Sequence, residues 1–345
     1  MLALYSFTEL LGSGSFGDVF KAKDLRSDEF VAIKVGATQT GITVMEREAA
    51  IMARLKEVKG TPSLLNHFIY EEKGYLVMEL LGKPILEDCQ SKQFPVSRAA
   101  RIVLKVLKVV KRIHTFGFLH RDIKPQNILY GLGRHRHDLY LVDFGLAKAF
   151  PDVTEKKNGR RLSRFIGTRL FSSANAFAGN EQSYSDDLEG LCIVLIWLIK
   201  QDLPWCHPAG SDYEIVDSKK LTATVKEIAE GCPKEVYDCL AYARELRFGE
   251  LPNYSFLTRK LKQLKLKHKS PFLRADFCAD TSEQTHWRGK KKHTRRSSNP
   301  LPAPDVESTP VLKPPEISQG LRQRIKQMHA AFLPLTCTLT NSHAG

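Results

Sequence analysis

Two neighbouring stretches, LHRDIKPQNIL at residues 119–129 and LYLVDFGLAK at residues 139–148, decide how this sequence is read. Each ends a short apolar run with polar residues that have no role in packing: Asp122, Lys124 and Asn127 in the first, Asp143 in the second. Phosphoryl transfer through a loose transition state needs positioning and charge stabilisation rather than a covalent nucleophile, so carboxylates, an amide and lysines suffice. In that reading Asp122 accepts the proton of a substrate hydroxyl and Lys124 neutralises charge on the transferred γ-phosphoryl. Asn127 and Asp143 hold Mg²⁺.

Working outward towards the N-terminus, LGSGSFGDVF carries Gly12, Gly14 and Gly17 in G-x-G-x-x-G spacing. Alone this pattern is weak, since it also fits a dinucleotide fold or bare turns. A dinucleotide site needs a helix directly after the glycines, whereas DVFKAKD followed by EFVAIKV reads as a β-hairpin. The turn formed by Leu11, Gly12, Ser13, Gly14, Ser15, Phe16, Gly17, Asp18 and Val19 is therefore expected to cover the phosphates of ATP. In VAIK, Lys34 follows three apolar residues and, if buried, needs a partner. Glu48 shares a helical face with Met45, Met52 and Leu55 and is the favoured partner, with Glu46 as the runner-up off that face. Lys34 is then left to hold the α- and β-phosphates.

Residues 4–81 alternate apolar and polar in short β-branched runs, interrupted by one helical pattern at Thr43–Leu55, and so predict a small sheet with one helix. From Ser97, read as an N-cap, the pattern turns helical. Ile102, Val103, Val106, Leu107, Val110 and Ile113 make one apolar stripe. The expected fold class is α+β and bilobal: a β-rich N-lobe at 4–81 and a mostly helical C-lobe at 82–265 within one domain, 4–265. Residues 266–345 read as a basic, proline-containing, disordered tail.

The chain has 345 residues, 42% of them hydrophobic and 9% aromatic, enough for two lobes with cores. Seven scattered cysteines without CxxC spacing suggest reduced thiols rather than a disulfide framework or zinc site. The N-terminus does not resemble a signal peptide, and the longest apolar run, Leu191–Ile199, is about half a bilayer span, so it reads as a buried helix. The expectation is a soluble intracellular protein of the cytoplasm, the nucleus or both. Of the net charge of +14, +11 falls in residues 259–345, where 17 Lys and Arg oppose 6 Asp and Glu.

These segments resemble a eukaryotic protein kinase. GSGSFGDVF, VMELLG, SANAFAGNEQSYSDDLEGL, LPW and ARELRFGELPNYSFL are similar to the casein kinase I group, with vaccinia-related and tau-tubulin kinases as near relatives. That group has S-I-N where other kinases have A-P-E, and this chain has Ser173-Ala174-Asn175. The resemblance covers Leu10 to Leu261. It implies Met78 as gatekeeper, Glu79 to Leu81 as the adenine-facing hinge, Asp187 as the residue bracing the HRD backbone, and serine/threonine specificity. It also implies a phosphate pocket for primed substrates, but its three places correspond here to Leu170, His207 and Asp212. A leucine and an aspartate do not bind phosphate. Arg169 is one residue away.

Lys156, Lys157, Arg160, Arg161 and Arg164 precede Gly167; the run reads as a solvated loop or as a cleft charge favouring acidic substrates. His135-x-His137-Asp138 sits in an expected turn, and Cys206-His207 lacks a third metal partner. In the tail, RGKKKHTRRSS reads as a contact for polyanions or an import factor, or as a solvated run. Leu321, Ile325, Met328 and Phe332 form a short amphipathic stripe, and Ser297, Ser298, Ser308 and Thr309 are candidate regulatory hydroxyls. The functional expectation is a Mg-ATP-dependent serine/threonine protein kinase acting on acidic substrates. The alternatives are a catalytically silent kinase-fold scaffold and a tail-mediated polyanion binder.

Overall fold

The computed structural model describes residues 2–14, 16–90, 94–150, 161–162, 165–206 and 213–268. The expected sheet is an antiparallel one of five strands, β1 (Tyr5–Gly14), β2 (Gly17–Asp24), β3 (Glu29–Gly36), β4 (Leu64–Tyr70) and β5 (Lys73–Glu79), in the order β1-β2-β3-β5-β4. One face buries Tyr5, Ala22, Val31, Ile33, Phe68, Tyr75 and Val77, the alternate positions that a half-buried strand pattern requires.

The helix α1 (Gln39–Arg54) starts four residues before the apolar pattern that announced it. Its start is set by Thr38, whose side chain accepts the Gly41 N–H at 3.0 Å. Met45, Glu48, Met52 and Leu55 are buried as one face, whereas Glu46 is exposed. This outcome separates the two candidate partners of Lys34.

The second lobe is built on α2 (Val96–Thr115), α4 (Tyr184–Lys200), α5 (Tyr213–Thr222), α6 (Val225–Ile228), α7 (Lys234–Glu245) and α8 (Tyr254–Lys267), with a short α3 (Ala174–Phe177) ahead of α4. The predicted stripe of α2 is buried at all six positions. Ser97, however, is not the N-cap: the helix begins after Pro95, whose fixed φ of −58° suits that place. Ser97 lies inside the first turn, buried, with its hydroxyl unpartnered. Leu191–Ile199 lies in α4, whose apolar C-terminal half is buried from Leu191 to Leu198. Among the described residues no helix is long and apolar enough to cross a membrane. The helix α8 continues to Lys267, two residues past the expected domain boundary. The rest of the tail, with its basic cluster, amphipathic stripe and candidate hydroxyls, lies outside the described residues.

Between α2 and α4 run four short strands in two antiparallel pairs. β6 (Phe118–Leu119) pairs with β9 (Lys148–Ala149), and β7 (Ile128–Tyr130) pairs with β8 (Leu139–Leu141). Residues 120–127 and 142–147 are thereby held side by side as two loops facing the five-stranded sheet.

Candidate active site

The β1–β2 hairpin closes with Gly14 opposite Gly17, and Val19 lies between Gly12 and Lys34 in register, so the glycine turn ends directly above the lysine strand. Gly17 has a φ of +145°, and a Cβ there would sit 2.2 Å from the Val35 carbonyl oxygen. The glycine is thus required by its neighbour strand as well as by any phosphate beneath the turn. Leu11, Gly12, Ser13, Gly14, Phe16, Gly17, Asp18 and Val19 all lie on this hairpin; Ser15 is outside the described residues. Met78 and Glu79 end β5, and Leu81 lies in the connection to the second lobe.

Lys34 is buried, and its Nζ lies 2.8 Å from Glu48 Oε2 and 2.9 Å from Asp143 Oδ1. Glu48 also accepts the Phe144 N–H through Oε1 at 3.0 Å, so α1, β3 and the loop at 143–146 are tied together at one point. Burial works against the Lys34 ammonium, but the two carboxylates outweigh it and raise its pKa above the ordinary lysine range. Asp143, pushed upward by burial, is brought down to about 2 by Lys34 and remains ionised. It adopts a left-handed backbone, φ 67°, a conformation that non-glycine residues hold only when their surroundings impose it.

On the opposite loop, Asp122 Oδ2 lies 2.6 Å from Lys124 Nζ, and Asp122 Oδ1 accepts the Thr168 hydroxyl at 2.6 Å. Thr168 in turn accepts from Lys124 at 3.0 Å, closing a three-membered set. Asn127 donates its amide to the Asp122 carbonyl at 2.9 Å and to its carboxylate at 3.2 Å. With the amide N–H₂ spent there, the Asn127 oxygen is left as an acceptor. Together with the Asp143 carboxylate it makes a hard oxygen donor set, the kind that suits Mg²⁺.

Asp187 supports this loop from below. Its two oxygens accept the His120 and Arg121 N–H groups, each at 2.7 Å, and Oδ2 lies 2.9 Å from His114 Nε2. Burial pushes this carboxyl upward, yet the hydrogen bonds and the nearby histidines hold it below the usual carboxylate range. Arg121, with φ 67°, is held by this contact and by its Nε–H donated to the Leu146 carbonyl at 2.7 Å. Burial lowers the pKa of His120, whose ring packs edge-on against Phe144 with centroids 5.2 Å apart.

Residues 165–182, FIGTRLFSSANAFAGNEQ, end in a network that spacing alone did not reveal. The Ser173 hydroxyl and the Asn175 amide both donate to Asp186 Oδ1, and the Ser183 N–H donates to Asp186 Oδ2 at 2.6 Å. Burial raises Asp186 to about 6 despite these bonds. Glu189 accepts the Ala174 N–H at 3.3 Å and pairs with Arg244 at 2.9 Å. Of the three acids in SYSDDLEG, Asp186 and Glu189 serve this corner, while Asp187 between them serves the loop at 120–121.

A family model described as the protein kinase domain matches residues 5–261. The chain belongs to the protein kinase family. Its sheet lobe and helical lobe are those of a kinase domain, and the family's chemistry is phosphotransfer to proteins from ATP with a divalent metal ion. In this kinase domain Lys34, Glu48 and Asp143 meet at one point, and Asp122, Lys124 and Asn127 at a second. Leu170 is half-buried and packs on the core. His207, Asp212, Lys156, Lys157, Arg160 and Arg164 lie outside the described residues. His135 is paired with Asp138 at 3.0 Å in an exposed turn; among the described residues no group of three or more His, Cys, Asp or Glu is placed to hold a metal ion.

Proposed function

We propose that this chain is an active serine/threonine protein kinase of the casein kinase I group that uses Mg-ATP and prefers acidic substrates. The observation that carries the reading is the Lys34 ammonium shared between Glu48 and Asp143, a contact spanning 109 residues of chain and both lobes. A buried cation held by two carboxylates is costly to assemble, and a domain used only as a scaffold has no need of it.

In this reading Lys34 binds the α- and β-phosphates, while the hairpin at residues 11–19 covers them and Met78, Glu79 and Leu81 border the adenine. Asn127 and Asp143 hold Mg²⁺, which when bound neutralises charge on the phosphate oxygens. Asp122 orients the serine or threonine hydroxyl and receives its proton as the oxygen–phosphorus bond forms and ADP departs. Lys124 offsets the charge of the moving phosphoryl group, and Thr168 keeps Asp122 and Lys124 in register. The serine/threonine preference is supported by Lys124 in its place two residues after Asp122. The casein kinase I assignment is supported by the use made of Ser173 and Asn175, both bound to one carboxylate. The acidic preference rests on the cationic run before Gly167, of which Arg161 is described and exposed.

The test is phosphate incorporation by purified protein with Mg-ATP and peptide mixtures of acidic and basic context. Lys34→Met and Asp143→Asn are expected to lower turnover at least about 100-fold. Unchanged incorporation in both variants refutes the assigned site, and equal use of acidic and basic peptides by the wild type removes the substrate preference.

A further inference from the structure

Lys220, on α5, is 2% exposed, and no carboxylate forms an ion pair with it at contact distance among the described residues. Its Nζ donates instead to two main-chain carbonyls, those of Arg169 and of Leu170, the latter at 3.1 Å. Aromatic faces supply the rest of its surroundings: the ammonium lies 4.8 Å from the Trp205 ring centroid and 5.4 Å from that of Phe177. Phe177 also carries the Arg169 guanidinium, 5.0 Å from its centroid. The Leu170 carbonyl takes a second bond, from Trp205 Nε1 at 3.0 Å. Burying an ammonium on carbonyls and rings is unfavourable compared with an apolar side chain of similar volume, so its presence calls for a role other than packing.

The place of the two carbonyls supplies that role. They directly follow Thr168, whose hydroxyl joins Asp122 to Lys124. The Thr168 carbonyl accepts the Phe171 and Ser172 N–H groups at 3.1 and 2.9 Å, so residues 168–172 form one tight turn. Lys220 and Trp205 both hold that turn through its carbonyls, Lys220 at Arg169 and Leu170 and Trp205 at Leu170.

We infer that Lys220 is a positioning residue for phosphoryl transfer, clamping the 169–170 peptide so that Thr168 stays seated between Asp122 and Lys124. The inference deepens the proposed kinase activity and rests on it. The groups facing the ammonium from the packed elements are Glu189 on α4, Arg244 on α7, and Arg169 and Cys206 in the flanking segments. Burial pulls the lysine down to about 7 against the favourable pull of Glu189, so its surroundings disfavour the ammonium, while the amine donates to the same carbonyls in either form.

The test compares wild type with Lys220→Met, an apolar side chain of similar length. Because the buried charge is unfavourable, a clamp predicts a separation that ordinary structural loss does not produce. The melting temperature stays equal or rises, while peptide turnover falls about ten- to a hundredfold with ATP affinity unchanged. Amide exchange at Phe171 and Ser172 should accelerate in the variant. Turnover and exchange at wild-type levels in Lys220→Met overturn the inference, as does a joint fall of stability and turnover with unaltered exchange. Should this variant not fold, Trp205→Phe deletes the second donor to Leu170 while keeping a ring beneath the ammonium. A several-fold loss of turnover with faster exchange supports the clamp, and wild-type values overturn it. A wild-type protein that transfers no phosphate to any peptide refutes the kinase reading. The exchange comparison then still decides whether Lys220 holds the turn.

Discussion

Asp187→Asn is the substitution whose consequence is best defined by the structure. Asp187 is buried and uses both oxygens on the loop it supports: Oδ2 takes the His120 N–H and faces His114 Nε2, and Oδ1 takes the Arg121 N–H. Asparagine has one acceptor oxygen, so one of the two backbone N–H groups must face an N–H₂ group instead. A hydrogen bond to a charged group contributes about 1.5–3 kcal/mol, and an orphaned buried donor costs a similar amount, so a loss of about 3 kcal/mol is expected. For a domain of this size that corresponds to a fall in melting temperature of about 6–12 °C. The assay is thermal unfolding followed by circular dichroism near neutral pH, with amide exchange of residues 118–123 read alongside. The pH dependence provides a second check. Because the folded carboxyl is held below its ordinary value, its stabilisation is complete above the ordinary carboxylate range and is lost as pH falls through the folded value. The gap between wild type and variant should therefore close in acid. A melting shift below about 2 °C with unchanged exchange at His120 and Arg121 refutes the reasoning.

Thr168→Val keeps the shape of the side chain but deletes the hydroxyl between Asp122 and Lys124; peptide turnover should fall about ten- to a hundredfold at unchanged melting temperature, as steady-state kinetics will show. Gly17→Ala drives a methyl group to within 2.2 Å of the Val35 carbonyl oxygen at a φ alanine avoids, so chemical denaturation should register a loss of about 2 kcal/mol and titration a weaker affinity for ATP. Lys220 binds its proton more weakly in the folded chain, at about 7, than at its ordinary 10.5, so the unfolded chain carries more protons between these values and stability rises with pH across that window. Lys220→Met should flatten this rise, by at most about 5 kcal/mol over the whole window, in denaturation curves taken from pH 7 to 10.

Much of the candidate site's geometry was legible because its residues are local in sequence. The spacing from Asp122 to Lys124 and Asn127 is set by what one short loop must present, and the glycines of residues 12–17 are set by a hairpin of fixed length. Even the choice of Glu48 over Glu46 followed from helical periodicity, since only Glu48 shares the buried face of α1. Periodicity was less informative at helix ends. The reading of Ser97 as a cap failed because the backbone of Pro95 already starts α2 two residues earlier. A serine before an apolar stripe looks the same in either position.

What the amino-acid sequence by itself determined is the set of polar groups that the two loops present and the elements that carry them, because loop spacing and backbone periodicity act over a few residues. The tertiary structure alone decided which distant groups hold those elements in place. Lys34 reaches Asp143 across the lobes, Asp187 holds the Arg121 backbone against an unfavourable φ, and Asp186 gathers Ser173, Asn175 and Ser183. Lys220 is the clearest case: in sequence it is one of two adjacent lysines on a helix, with nothing to separate it from its exposed neighbour Lys219. Only the packing of α5 beneath residues 169–170 places its ammonium on two carbonyls and two rings. Burial is a property of the closed chain, and it gives an ordinary lysine a defined place on the 169–170 peptide.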